Sequence, residues 1–190
     1  MTKIIALVGM TGAGKSLIAD YLVEQGWGFA RFGQITLDIV KKRGLEPNEQ
    51  NEKMIRESVR QEYGMGAYAT LNIPKFDKIL TEKNLVADGL YSWSEYKILK
   101  NYYGDRLTII AVYAPPQIRY ERLVKRSLAQ TDKDMRYRPA TPESAKSRDY
   151  AEIENIEKGG PIAMADYTIL NLTEQEKALD QLKNILKEIL

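Results

Sequence analysis

The chain has 190 residues, a net charge of only +2, and neither cysteine nor histidine. Disulfides and thiolate chemistry are thereby excluded, as are imidazole acid–base catalysis and the commonest metal ligand. The length suits one α/β domain, the N-terminal apolar run is too short for a signal-peptide core, nothing approaches a membrane span, and a soluble cytoplasmic protein is expected.

The first predicted strand, Lys3–Val8, is rich in β-branched residues and runs straight into Gly9-Met10-Thr11-Gly12-Ala13-Gly14-Lys15-Ser16. This octet is a complete G-x-x-x-x-G-K-[ST] phosphate-binding loop. Gly9 and Gly14 let the backbone curl, so that successive N–H groups from Met10 through Ala13 can face phosphate oxygens. Lys15 adds a cation to the same oxygens, and the Ser16 hydroxyl can ligate Mg²⁺. A random chain of this length carries the pattern roughly 1% of the time. After Ser16, Leu17, Ile18, Tyr21 and Leu22 recur at helical spacing and the pattern stops near Gly26. That gives a helix over about 15–25 whose N-terminus supplies the positive dipole end. The octet predicts a nucleoside-triphosphate site. ATP is the expected nucleotide, because no Asn/Thr-Lys-x-Asp guanine motif occurs.

Further along, strands are expected at Gly28–Arg31, Leu85–Ala87, Leu107–Tyr113 and Tyr167–Leu170. Helices are expected over about 34–43, 48–63, 66–82, 92–102, 116–128, 142–158 and 174–189. Several strands lack polar alternation, as suits a parallel sheet buried on both faces, and the alternation of elements predicts a three-layer α/β fold. Asp88 follows the third strand and precedes Gly89, so it is either a Mg²⁺-organising carboxylate or a turn residue. Residues 119–148 hold nine Lys or Arg against four Asp or Glu. This basic stretch is either a solvated helical face or a segment that folds over polyphosphate, and its local character argues against nucleic acid as the partner. Thr141 with Pro142 predicts a capped helix start, and Thr173 with Glu176 a capping box.

Taken together, several features resemble the nucleoside monophosphate kinase-like branch of phosphate-loop proteins, and more closely its adenylate kinase-like and dephospho-CoA kinase-like members. They are the loop at 9–16, the Val86-Ala87-Asp88-Gly89 strand end and the Arg119-x-x-Arg122-x-x-x-Arg126 helix. The Arg148-Asp149 pair and the strand running from Ala165 to Asn171 complete the set. The resemblance implies a five-stranded parallel sheet of order 2-3-1-4-5 in a single domain over 1–190. It implies a helical insertion over 34–83 that binds the acceptor, and a lid over 127–160 that closes on ATP. It further implies that Arg122 and Asn171 touch the nucleotide, and that Arg126 and Arg148 reach its phosphates. Asp88 and Ser16 would hold Mg²⁺, and Gly33, Gly89 and Arg60 would lie on the acceptor side.

Two departures bear on the acceptor. Adenylate kinases carry a Gly-Asp-x-x-Arg stretch where this chain has Gly33-Gln34-Ile35-Thr36-Leu37, and an Asp-Gly-Phe-Pro-Arg stretch where it has Asp88-Gly89-Leu90-Tyr91-Ser92. Two cations that would clamp an acceptor phosphate are missing, which argues against an AMP acceptor unless Arg31, Arg56 or Arg60 compensates, Arg60 being best placed. Dephospho-CoA kinases carry a His-Pro element and an acidic pair, whereas this chain has no histidine and reads Arg31-Phe32-Gly33. A hydroxyl acceptor would need a carboxylate base, for which Asp88 and Asp38 are the candidates, although the helical position of Asp38 favours a solvated residue. The expected activity is ATP-dependent, Mg²⁺-requiring phosphoryl transfer to a small nucleotide-like acceptor. The alternatives are dephospho-CoA kinase-like phosphorylation of a hydroxyl and a regulatory or scaffold nucleotide binder with weak ATPase activity.

Overall fold

In the computed structural model, which describes residues 1–125 and 141–190, every residue of strand β1 (Ile4–Val8) is 0% exposed. Its alternate side chains enter two separate cores. Ile4, Ala6 and Val8 pack with Phe32, Tyr68, Phe76 and Leu99 on one face. Ile5 and Leu7 pack with Ile18, Leu22, Trp27 and Leu182 on the other. A strand covered on both sides has no solvent-facing register, which is why its sequence is continuously apolar.

Beside β1 lie β2 (Gly28–Arg31), β3 (Leu85–Asp88), β4 (Leu107–Tyr113) and β5 (Tyr167–Leu170). All neighbours are parallel and the order is β2-β3-β1-β4-β5, as the family resemblance implied. Register sets Leu7 against Asp88 and Val8 against Ala111, so the carboxyl ends of β1, β3 and β4 open at one edge. Ligands of open parallel sheets bind at that edge.

Helix α1 (Lys15–Glu24) follows β1, and α2 (Gln34–Lys42), α3 (Glu49–Tyr63) and α4 (Ala67–Leu80) lie between β2 and β3. The rest are α5 (Trp93–Tyr103), α6 (Pro116–Val124), α7 (Pro142–Glu154), α8 (Gly159–Ala163) and α9 (Gln175–Ile189). Helices α3, α5 and α7 are capped by the side chains of Asn48, Ser92 and Thr141. In contrast, α1 begins at Gly14, in the left-handed region at φ 102°, with no side-chain cap. In its first turn the Leu17 N–H reaches the Gly14 carbonyl at 3.1 Å, and such an uncapped helix start can receive a ligand.

Two expectations are corrected. The helix expected over 142–158 stops at Glu154, because Glu157 adopts φ 54° and turns Lys158 inward before α8 begins. The Thr173–Glu176 capping box does not form. Helix α9 starts from Glu174 without a side-chain cap, and its attachment comes from Ala178, Leu182 and Ile185, all buried. Asp38, a candidate base, is exposed and accepts a hydrogen bond from Gln34 Nε2 at 2.9 Å. Arg126 and most of the first half of the expected lid, through residue 140, lie outside the described residues. Among the described residues no helix is long and apolar enough to cross a membrane.

Candidate functional site

The loop from Gly9 to Ser16 takes its shape from contacts that only glycine permits. A Cβ on Gly14 would collide with the Asn171 side-chain amide, and one on Gly9 with the Val112 carbonyl. Asn171, 4% exposed at the end of β5, donates from Nδ2 to the Ala13 carbonyl at 2.8 Å. Its Oδ1 accepts from Arg122 Nη2 at 3.4 Å. Arg122 Nη1 is buried without a hydrogen-bond partner, and burial lowers the pKa of its guanidinium. Arg122 and Asn171 therefore stand together against the loop, with a donor to spare.

A residue that sequence reasoning did not single out supports the loop from beneath. Arg119 in α6, 4% exposed, donates to the Thr11 carbonyl at 3.0 Å and the Ala114 carbonyl at 3.0 Å. It also forms a two-pronged pair with Asp149 of α7, at 3.0 and 2.6 Å. Tyr120 Oη donates to the same carboxylate at 2.9 Å. A bidentate guanidinium–carboxylate pair is geometrically specific, so α6, α7 and the loop are fixed to one another. The Arg119-x-x-Arg122 spacing marked the helix but not the difference between the two arginines. Arg119 is consumed by structure, whereas Arg122 keeps a free donor.

Lys15 is only partly exposed, and its ammonium donates to the carbonyls of Gly9 at 2.8 Å and Met10 at 3.4 Å. Burial, and then the neighbouring charge of Lys158, push its pKa down to about 8; Asp88 and Glu152 act in the opposite direction. Asp88, 7% exposed at the carboxyl end of β3, has a buried Oδ1 with no hydrogen-bond partner. An unpaired buried carboxylate oxygen beside a phosphate loop fits a Mg²⁺ that also takes the Ser16 hydroxyl, water and phosphate oxygens. Among the described residues no group of three or more acidic side chains is placed to hold a metal ion.

Arg148, named from the sequence, projects from α7 and gives its Nε to Glu152 Oε1 at 3.0 Å. Lys158, which carries no sequence signal beyond the Gly159-Gly160-Pro161 that follows it, gives its ammonium to Glu152 Oε2 at 2.6 Å. Burial pushes the Glu152 pKa up, but Lys158 and then Arg148 overcome that and hold it well below the usual carboxylate range.

On the opposite side, Tyr91 Oη approaches Gly33 and Gly89, lying 3.0 and 3.5 Å from where their Cβ atoms would be. The structure thus brings both glycines under one tyrosine. Tyr91 stands edge-on to Tyr68, the Arg60 guanidinium covers the Tyr68 ring at 5.2 Å, and Arg60 Nε is buried without a partner. Trp93 stacks on Tyr96 and is a packing residue.

Glu95 completes this side. Fully buried, it closes the α5 capping box, and its Oε2 accepts from the Tyr91 and Ser92 N–H groups at 2.9 and 3.2 Å. Burial raises its pKa from 4.5 to about 7, against the pull of the Tyr91 N–H and the Arg60 charge. The folded state therefore holds an extra proton between those values, and stability falls as pH rises from about 4.5 to 7. Glu95→Gln keeps an oxygen for both N–H groups and removes the charge. It should raise stability at pH 8 by on the order of 3 kcal/mol and by much less at pH 5, as read by urea unfolding. An equal effect at both pH values would mean that Glu95 ionises normally.

Against known proteins, residues 5–157 match the family described as AAA domain. Over its whole length the chain is 34% identical to a UPF0200 protein of Sulfurisphaera tokodaii, covering 99% of that protein. It is 32% identical to a UPF0200 protein of Thermococcus gammatolerans, covering 98% of this chain and 95% of that one. Among solved structures, a Thermus thermophilus protein superposes with TM-score 0.64 at 16% identity, covering all of this chain and 98% of the other. Shikimate kinase from Acinetobacter baumannii superposes with TM-score 0.55 at 22% identity, covering 99% and 95% of the two chains. A gluconokinase from Sinorhizobium meliloti gives 0.57 at 12%, covering 98% and 95%. At these identities the structural likeness concerns the fold alone, a phosphate-loop kinase fold.

Proposed function

The chain belongs to the AAA-domain family and to the UPF0200 proteins, and on that footing we propose that it is an ATP-dependent phosphotransferase. ATP would lie along the loop from Gly9 to Ser16, with Arg122 and Asn171 at its flank and Mg²⁺ on Ser16 and Asp88. Such a metal would neutralise charge on the β- and γ-phosphates. The acceptor, a small nucleotide-like molecule, would occupy the side formed by Gly33, Gly89, Tyr91 and Arg60, beside helices α2 to α4. In this reading 34–83 is the acceptor-binding insertion, 127–160 the lid, and the protein acts in the cytoplasm.

One observation carries the reading: Lys15 lies on the loop carbonyls, Arg148 and Lys158 share the Glu152 carboxylate whose charge acts on Lys15, and a buried Asp88 oxygen lacks a partner among the described residues. Phosphoryl transfer asks mainly for such positioning and charge stabilisation. The bond from Pγ to its bridging oxygen breaks with the electron pair left on ADP, and a bond from the acceptor oxygen to Pγ forms. An acceptor phosphate arrives already ionised and needs no base. The unpartnered Asp88 Oδ1 favours one further reading, a hydroxyl acceptor whose proton passes to that carboxylate. Shikimate kinase and gluconokinase, by name, lend that reading analogy only.

The test is calorimetric titration with Mg·ATP, Mg·GTP, a mononucleotide panel and dephospho-CoA, followed by turnover of any acceptor that binds. Arg148→Ala should lower turnover about 10²-fold or more, as when a charge-stabilising donor is removed. Tight ATP binding without acceptor binding, together with normal slow hydrolysis in Arg148→Ala, would favour a regulatory nucleotide binder instead. That outcome would fit the two missing acceptor-side arginines.

A further inference from the structure

Lys158 belongs to none of the motifs that point to the site, yet it is among the most deeply buried side chains, 1% exposed. Its backbone is fixed, since its N–H donates to the Glu152 carbonyl at 3.1 Å and the preceding Glu157 stands at φ 54°. A buried ammonium is costly unless it is paired, and the Glu152 carboxylate supplies the pair. The pairing is incomplete in two respects. Glu152 is shared with Arg148, so one carboxylate faces two cations. An ammonium also has three donors, and only one is used in the contact with Glu152.

The location is equally telling. On one side, Lys158 is the cation that acts most strongly on Lys15. On the other, its ammonium lies 5.1 Å from the centre of the Tyr91 ring, and Tyr91 in turn covers Gly33 and Gly89. Lys158 thus stands between the loop that would hold the triphosphate and the side that would hold the acceptor. The charges of Lys158 and Arg148, and those of Asp88 and Glu152, all act on Lys15 there. The surplus positive charge meets the inward amides of the loop, a combination that is stabilised by an added anion.

We propose that Lys158 is a γ-phosphate-binding residue that meets the terminal phosphoryl group of a nucleoside triphosphate, with Glu152 as the carboxylate that positions it. This rests on the triphosphate reading above and adds a specific consequence. Lys158 touches only the phosphate that ATP has and ADP lacks, so it sets the preference between them. An ammonium that only anchored α7 to α8 would affect both nucleotides alike.

The experiment compares Mg·ADP with a magnesium complex of a non-hydrolysable ATP analogue, titrated into wild type, Lys158→Met, Lys158→Arg and Glu152→Gln. Lys158→Met should lose about 10- to 100-fold in affinity for the analogue, the scale of one charged hydrogen bond, while Mg·ADP affinity stays within roughly 3-fold. Lys158→Arg should recover part of the loss. Glu152→Gln keeps the carbonyl oxygen but releases the ammonium, so the preference for the analogue should change without an equal change for ADP. If both nucleotides weaken together in Lys158→Met, or neither does, the inference fails. Should Lys158→Met not fold, the wild-type protein decides by NMR. The Lys158 Cε signals should shift with the analogue beyond any shift with ADP, and identical signals in the two complexes overturn the proposal. Wild type that binds neither nucleotide sinks the triphosphate reading and this inference with it. Wild type that binds the analogue while Lys158→Met keeps its full preference sinks this inference alone.

Discussion

Lys15→Ala is expected to lower Mg·ATP affinity by about 10²-fold or more while leaving the protein folded and no less stable at pH 7. The two halves of this result share one physical cause. Among the described residues the Lys15 ammonium hydrogen-bonds the carbonyls of Gly9 and Met10. Burial and the charge of Lys158 depress its pKa from 10.5 to about 8. In the unfolded chain the group binds its proton more tightly, so the folded state is penalised below pH 8, and stability rises as pH climbs from about 8 to 10.5. Removing the side chain removes that penalty, which offsets the two lost hydrogen bonds. A bound triphosphate reverses the balance, because its oxygens supply the negative charge the ammonium lacks. Calorimetry with Mg·ATP and thermal unfolding at pH 7 and 9.5 check both halves. Undiminished Mg·ATP binding in the variant would overturn the assignment of the loop, and a large fall in stability would show Lys15 to be structural.

Asp88→Asn should lower turnover by about 10²- to 10³-fold while changing ATP affinity only a few-fold. The substitution keeps shape and one acceptor oxygen but removes the charge. Charge at this point matters most when negative charge shifts from the γ-phosphoryl group toward the leaving oxygen, so the loss falls on the transition state. The buried Oδ1 has no hydrogen-bond partner to lose, so the fold should tolerate the amide. The comparison of turnover with nucleotide affinity is the measurement that decides. Equal losses in affinity and in stability would identify Asp88 as a turn carboxylate ahead of Gly89, the other role open to an Asp-Gly pair.

The parts of the site that were legible in the sequence are those with a local cause. Gly9, Gly14, Lys15 and Ser16 are set by the geometry of one short loop, and that loop forms between a strand and a helix with the expected bounds. Asp88 was legible because a carboxylate at the end of an apolar strand has few places to go. The parts that were not legible involve residues distant in the chain. Nothing near Arg119 announces that it is spent on Thr11 and Asp149, 108 and 30 positions away. Tyr91 is four residues from Glu95 but gains its meaning from Gly33 and Lys158.

The same division runs through the whole molecule. Local sequence determined the strands and helices, the phosphate loop and the Thr141 cap, because apolar period, glycine freedom and capping act within a few residues. The parallel order β2-β3-β1-β4-β5 was foreseeable from family likeness, since no single strand encodes its neighbour. The end of α7 escaped the sequence because Lys158 pairs with Glu152 in a buried site, and that burial exists only once the elements have packed. Tertiary structure alone decided which cations are consumed and which keep an unpaired donor among the described residues, Arg119 against Arg122. The reason is electrostatic. The energy of a charge depends on its burial and its partners, and neither exists for a side chain until distant segments have packed around it.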